Sequence, residues 1–337
     1  MNTKRIGKNT IEFKNPPSIH GYASVVSKKE SQGPLADLFD VIENDTTFGQ
    51  QSWEKAESEM QKIAFNKVLT KALVKKSDIS YVFAGDLINQ CTVSAFAHRD
   101  SGLPFMGVYG ACSNMAHTLT LASMAIDGGF ANYATAITSS HFCSAERQYR
   151  FPLEYGGQRP PTSQWTVTGS GAVILGEFTK SKPYIAYATT GKIVDLGVTD
   201  ANNMGAAMAP AAYDTLSNFF KDTNTKPSDY DLIITGDLGK VGSDILKNLF
   251  ERDGVDISKN HDDCGKIIFD DTQDVHAGGS GCGCSASVLC SYILKSMEDR
   301  TFKNVLFGAT GALLSTTSSL QGESIPSICH LVNLKID

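Results

Sequence analysis

The segment Pro104-Phe-Met-Gly-Val-Tyr-Gly-Ala-Cys112-Ser113-Asn114-Met-Ala116 decides the fold. Phe105 to Tyr109 reads as a strand, Gly110-Ala111 as a tight turn, and the residues from Cys112 to about Ile126 as an apolar helix. The same construction recurs: Cys284-Ser285 follows Cys112-Ser113 at an offset of 172, and that offset also superimposes Phe302 on Phe130, Asn304 on Asn132 and Thr310 on Thr138. A second pair, Ala84-Gly85-Asp86-Leu87 and Thr235-Gly236-Asp237-Leu238, repeats at an offset of 151. Two half-chains of one design, each bringing a loop to a cysteine-bearing helix start, predict a pseudo-twofold protein whose site lies where the halves meet. The halves are expected at 1–178, including an arm at 1–50 and a loop at 141–165, and at 179–337.

Working outward, Trp53 to Lys75 reads as an amphipathic helix, because Ala56, Met60, Ala64, Val68 and Ala72 recur every four residues among polar neighbours. Strands near Asp78–Ala84 and Ala134–Ser139 and a helix near Val93–Arg99 complete an alternation that indicates α/β layers. His141 to Pro161 has hardly any regular period and reads as a long functional loop. A Gly-interrupted strand follows at Thr166–Leu175. In the second half the sequence predicts a strand, a long connection from Asp195 to Ala212 and a helix near Tyr213–Lys221. A strand at Leu232–Thr235, a helix at Gly242–Arg252, the Cys284 helix to about Glu298 and a strand at Asn304–Ala309 complete it.

Composition narrows the function classes. A chain of 337 residues with 41% hydrophobic and 20% charged residues has the makeup of a soluble globular protein, not a disordered one. A net charge of −6 and a pI near 5.7 argue against a nucleic-acid surface. The N-terminus has positive charge without an apolar core, so it does not read as a secretory signal, and no stretch approaches the length of a membrane span. Eight cysteines spread over this length are expected as reduced thiols. Cys264, Cys282, Cys284 and Cys290 invite a zinc reading, but C-x-C with a distant fourth is not the paired C-x-x-C pattern, and no metal site is expected.

These strings resemble a known family. The repeat, the Ala111-Cys112 turn, the Thr168-Gly-Ser-Gly-Ala-Val strand and Gly308-Ala-Thr-Gly-Ala-Leu-Leu-Ser315 look like the thiolase and ketoacyl-synthase fold over nearly the whole chain. Gly85-Asp-Leu-Ile-Asn-Gln90, Ala145-Glu-Arg-Gln-Tyr-Arg-Phe-Pro-Leu-Glu-Tyr-Gly-Gly157, Asp195-Leu-Gly-Val-Thr-Asp200, Met208-Ala-Pro-Ala-Ala212 and Ala277-Gly-Gly-Ser-Gly-Cys282 are similar to the AD family of stage V sporulation proteins. The resemblance implies a thiolase-like fold of two βαβ halves in five layers, α/β/α/β/α, and a homodimer. It also implies binding of dipicolinic acid or its calcium chelate during uptake into the developing spore. The implied placement is peripheral at the spore inner membrane, beside the other spore VA membrane proteins. No cofactor is expected, calcium entering only as part of the ligand.

A cysteine at a helix N-terminus is expected to have a lowered pKa, which suits a nucleophile. Condensing enzymes of this fold add His with Asn or a second His from the second half. Here the first position reads Thr235-Gly-Asp237-Leu and the second Gly279-Ser-Gly-Cys282, with His276 a few residues upstream. A nucleophile without its partners favours binding over catalysis, so Cys112 is read as a former nucleophile position that borders the ligand. The competing reading is an acyltransferase or condensing enzyme using Cys112; a third is a scaffold without a small ligand. A planar dicarboxylate calls for Arg147, Arg150 and Arg159 from the loop, with His141 as a further contact. Asn89 and Gln90 could donate without charge repulsion, and Asp86 and Asp237 either border the pocket or tie up their own turns.

Overall fold

The computed structural model describes residues 4–149 and 159–337. Its first half contains β1 (Ser18–Ser27), α1 (Trp53–Ala72), β2 (Ile79–Gly85), α2 (Thr92–His98), β3 (Phe105–Val108), α3 (Asn114–Asp127), β4 (Tyr133–Ser140), α4 (Phe142–Tyr149) and β5 (Gly169–Gly176). The second half contains β6 (Tyr184–Thr189), α5 (Met204–Thr223), β7 (Leu232–Thr235), α6 (Gly239–Arg252), β8 (His261–Asp263), α7 (Cys282–Val288), β9 (Asn304–Ala312) and β10 (Ser327–Lys335). The strand order β1-β5-β4-β2-β3 in one half is repeated as β6-β10-β9-β7-β8 in the other, and the two meet at the pair Ser18 and Tyr184. Short strands at Thr10–Glu12 and Val41–Glu43 pair with β6 and β1.

The layers follow from which helix faces are apolar. α3 is buried nearly all round, from Met115 and Ala116 through Leu119 and Ala122, because it lies between the sheets against β4 and β2 on one side and β9 and β10 on the other. α7 shares that central layer and packs on β5 and β4; its cysteines Cys282 and Cys284, and Cys290 within the π-helical turn that follows, are small buried groups. α1 covers the outer face of the first sheet and α5 with α6 the outer face of the second. This is the α/β/α/β/α arrangement of a thiolase-like fold.

Four local expectations are corrected. The residues after His141 start a helix, α4, whose Phe142, Ala145 and Tyr149 line one side; Phe142 stacks on Trp165 with ring centroids 3.9 Å apart. α5 begins at Met204, well inside the expected connection, and carries Pro210 within its second turn. Proline usually stops a helix by removing an amide donor, but the Ala and Met face buried beneath it outweighs that loss. The N-terminal arm, expected as irregular with a short strand, holds a ten-residue strand, β1, whose Ser-Ile-His-Gly-Tyr start hides the alternation. β10 has no counterpart among the expected strands, although it pairs with β9 from Ala312 and Ser327 to Asn304 and Lys335.

Candidate functional site

Cys112 sits where β3 gives way to α3. Ala111 takes a left-handed φ of 52°, and a short 3₁₀ turn over Ala111–Ser113 leads into the helix. The turn is held by Ser113 Oγ donating to Gly110 O (2.6 Å) and by the Gly110 amide donating to Asn114 Oδ1 (2.7 Å). From the other half, β9 backs onto it so closely that a Cβ at Gly311 would lie 2.4 Å from Gly110 O. The cysteine is thus fixed at the junction of the halves, 6% exposed.

Above it lies a cavity of about 330 Å³. Cys112, Ala111 and Ser280 border it, Leu87, Ala145, Glu146 and Tyr149 come from the first half, and Asn202, Met204, Leu314 and Thr316 come from the second. Its wall is mainly apolar, with a few amide, hydroxyl and carboxyl groups converging, which is the makeup of a small-molecule site.

The residue facing Cys112 from the second half is Asp237. Its Oδ1 accepts from Thr310 Oγ1 (2.8 Å) and its Oδ2 from Ser280 Oγ (3.1 Å) and the Gly281 amide (3.0 Å). The Cys112 thiol lies beside the same carboxylate. Burial first, then the negative charge of Asp237, push the Cys112 thiol well above the ordinary thiol range. The expectation of a lowered pKa is therefore corrected: helix-terminus amides are outweighed by a dry site and a buried carboxylate. Asp237 is itself raised by burial, and its loop is held by Asp263, which accepts from the Leu238, Gly239 and Gly265 amides and from Thr235 Oγ1.

Most of the other sequence-predicted contacts lie outside the cavity wall. Asp86 is fully buried and accepts from the Ile88 amide (2.8 Å), the Ser94 amide (2.8 Å) and Ser94 Oγ (2.6 Å), so it holds its own turn. Asn89 and Gln90 are exposed beyond it; Asn89 pairs with Gln148 and Tyr109, and Gln90 takes a left-handed φ of 61°. His141 caps α4: Nδ1 accepts from the Cys143 amide (3.1 Å) while Nε2 donates to Thr46 O (2.8 Å). Arg147 turns away to Glu54 on α1 and lies over Trp53. Arg159 bonds Asp274 and lies over Trp165, in a cluster that also holds His276. Arg150 lies outside the described residues. Of the ligand contacts expected from sequence and described, Cys112 borders the cavity; Glu146 and Tyr149 of α4 and Ser280 border it too. Asn202, Thr316 and Ser319 were missed; the hydroxyl run Ser315-Thr-Thr-Ser-Ser319 was the available signal.

Solved structures and known sequences place this geometry. The fold is similar to OleA of Xanthomonas campestris in its acetamide-bound crystal structure, with a TM-score of 0.62 and 13% identity over 96% of this chain and 100% of that one. It is likewise similar to 3-oxoacyl-[acyl-carrier-protein] synthase III of Aquifex aeolicus VF5, with a TM-score of 0.56 and 12% identity over 95% and 99%. At that identity the likeness concerns the fold alone. In sequence, the chain is 46% identical over 327 residues to stage V sporulation protein AD of Bacillus subtilis (strain 168), covering 97% of this chain and 96% of that one. Residues 7–335 match the profile of the family described as Stage V sporulation protein AD (SpoVAD), and on both grounds the chain belongs to that sporulation family, built on a thiolase-like fold.

Proposed function

We propose that this sporulation protein binds dipicolinic acid, free or as its calcium chelate, in the Cys112 cavity and does no chemistry on it, serving the ligand's uptake into the developing spore. The observation that carries the reading is the burial of Cys112 beside Asp237. A condensing enzyme needs a thiolate and a base, whereas this thiol is held protonated by burial first and then by a carboxylate whose oxygens already accept from Thr310, Ser280 and Gly281. The cavity is sized for a small planar ring, with apolar walls at Leu87 and Leu314 and polar groups at Asn202 and Thr316. Glu146 on the wall favours the chelate over the bare dianion, because calcium between carboxylates turns repulsion into attraction.

Among the described residues no helix is long and apolar enough to cross a membrane, so in this reading the protein sits peripherally at the spore inner membrane beside other spore VA proteins. It does so as a homodimer. β3 is the outer strand of its sheet, and Phe96, Phe105, Met106 and Tyr109 expose apolar surface around it, 36% to 50% of each residue. Met106→Lys is expected to convert the dimer to a monomer in sedimentation velocity; a variant that stays dimeric would move the interface elsewhere.

Calorimetric titration with dipicolinate, with and without calcium, tests the binding reading. Saturable binding is expected, and Cys112→Phe, which fills the cavity floor, should weaken it about tenfold or more. Absence of binding, together with a stable acyl adduct on Cys112 after incubation with acyl-CoA, would replace this reading with an acyltransferase.

A further inference from the structure

Behind the cavity wall, two carboxylates are buried in one hydrogen-bonded chain. Glu57 on α1 is 0% exposed; its Oε1 bonds Ser139 Oγ (3.1 Å) and its Oε2 bonds Ser144 Oγ on α4 (2.5 Å). Gln61 Nε2 continues from Ser139 Oγ (3.0 Å) to Ser94 Oγ (3.2 Å), which ends on Asp86 Oδ2. The two acids differ in their donors. Asp86 accepts from two backbone amides, which cannot reverse, while Glu57 meets two hydroxyls, which rotate and serve equally well as acceptors. A proton shared within this chain therefore resides on Glu57.

Both ends of the chain touch the cavity wall. Ser144 is the residue before Ala145 and Glu146, and Asp86 precedes Leu87, whose carbonyl accepts from Tyr149 Oη (2.7 Å) and Gln148 Nε2 (2.9 Å) of the same helix. We propose that the proton on Glu57 sets the seating of α4 against the body, so that losing it loosens the Ala145–Tyr149 wall and weakens ligand binding. Glu57 is the hinge of this coupling because its Oε2 is tied directly to Ser144 on α4. The protonated carboxyl joins α4 to α1 with a neutral hydrogen bond. The ionised form places a second charge in a dry space beside Asp86.

The Ser144 and Ser139 hydroxyls favour the ionised form of Glu57, but burial and the neighbouring charges outweigh them. Burial first, then the charge of Asp86, raise its pKa to about 8; Glu54 on the same helix adds to the rise but is paired with Arg147 of α4. The Cys282 thiol on α7 stays neutral, raised well above its ordinary range. His141, next to α4, is lowered by burial and is neutral across the relevant range. A carboxyl whose folded-state pKa lies above its ordinary value holds its proton more tightly when folded, so the associated stability is lost as pH rises from the ordinary carboxyl range through the folded value.

The chain carries its own reporters. It has two tryptophans, and both touch α4: Trp165 stacks on Phe142, and Trp53 lies under Arg147. Tryptophan emission of the full-length protein is measured from about pH 6 to 9.5 in the wild type, Glu57→Gln and Ser144→Ala, with circular dichroism to verify folding. A sigmoidal change with a midpoint near pH 8 is expected in the wild type, and a flat trace in Glu57→Gln. Ser144→Ala leaves Glu57 in place but cuts its link to α4, so its emission change should shrink severalfold; this arm decides the matter if Glu57→Gln does not fold. Dipicolinate affinity should fall about tenfold per pH unit above that midpoint in the wild type alone. A flat wild-type emission trace, or an unchanged transition in the folded variants, overturns the proposal. The affinity arm rests on the binding reading above, whereas the emission arm does not: no dipicolinate binding at any pH defeats that reading and leaves emission to decide this one.

Discussion

Asp237→Ala is expected to lower the stability of the chain by about 4 kcal/mol, because it removes one acceptor from several buried donors at once. Thr310 Oγ1, Ser280 Oγ and the Gly281 amide all end on this carboxylate, and its side chain is fully buried. Thr310 and Gly281 lie off the cavity wall and lose most of a hydrogen bond each, whereas Ser280 borders the cavity and can turn into it. The midpoint of urea unfolding measures the loss. Asp237→Asn separates the two roles of the residue: it keeps the volume and one acceptor oxygen but removes the charge. That variant should cost less than the alanine and should increase the rate of Cys112 alkylation by iodoacetamide about tenfold at about pH 8, since a thiol freed of a neighbouring negative charge ionises more easily. Equal alkylation rates in wild type and Asp237→Asn would mean that burial alone silences Cys112, and the electrostatic half of the case against catalysis would fall.

The same residue shows where sequence reasoning carries and where it stops. The offsets that align Cys112 with Cys284 and Asp86 with Asp237 are visible because the two halves share strand and turn chemistry, and the paired strand orders follow from that likeness. What the offsets do not contain is the way the halves face one another. Cys112 meets Asp237, not its own half's Asp86, because α3 and α7 lie back to back between the sheets. Direction of side chains was equally hidden. Arg147 and Arg159 sit in the segment that an anionic ligand would call upon, yet Glu54 and Asp274, distant in sequence, claim their guanidinium groups. His141 reads as a free loop imidazole until the chain turns helical one residue later and its ring becomes the cap. α4 itself escaped because eight residues offer two turns of periodicity, and three of the eight are Glu, Arg or Gln.

Gly283→Ala should be nearly as damaging as the loss of Asp237, by a different route. Gly283 is the second residue of α7, where the second half is driven against the first. A Cβ there would lie 2.3 Å from Gly169 O, 2.5 Å from Ser140 Oγ and 2.8 Å from Ser140 N. Two of these atoms are backbone of β5 and β4. The third is a hydroxyl already donating to Val167 O (2.7 Å) and accepting from the Gly283 amide (3.1 Å), so nothing nearby can swing aside. The helix must instead back out of the interface and carry Ser280 and Gly281, two of the Asp237 donors, with it. A loss of about 3 kcal/mol is expected, at the upper end for one added methyl in a packed interior. Gly129→Ala is the matched comparison: its φ of +75° strains any side chain, but no atom lies within 4 Å of the new Cβ, and a cost of about 1 kcal/mol follows from the backbone alone. Unfolding midpoints of the two variants separate close approach from conformational strain. If Gly283→Ala costs no more than Gly129→Ala, the contact between the halves is soft, and the rigid placement of Cys112 opposite Asp237 must come from β9 and the Gly110 turn instead.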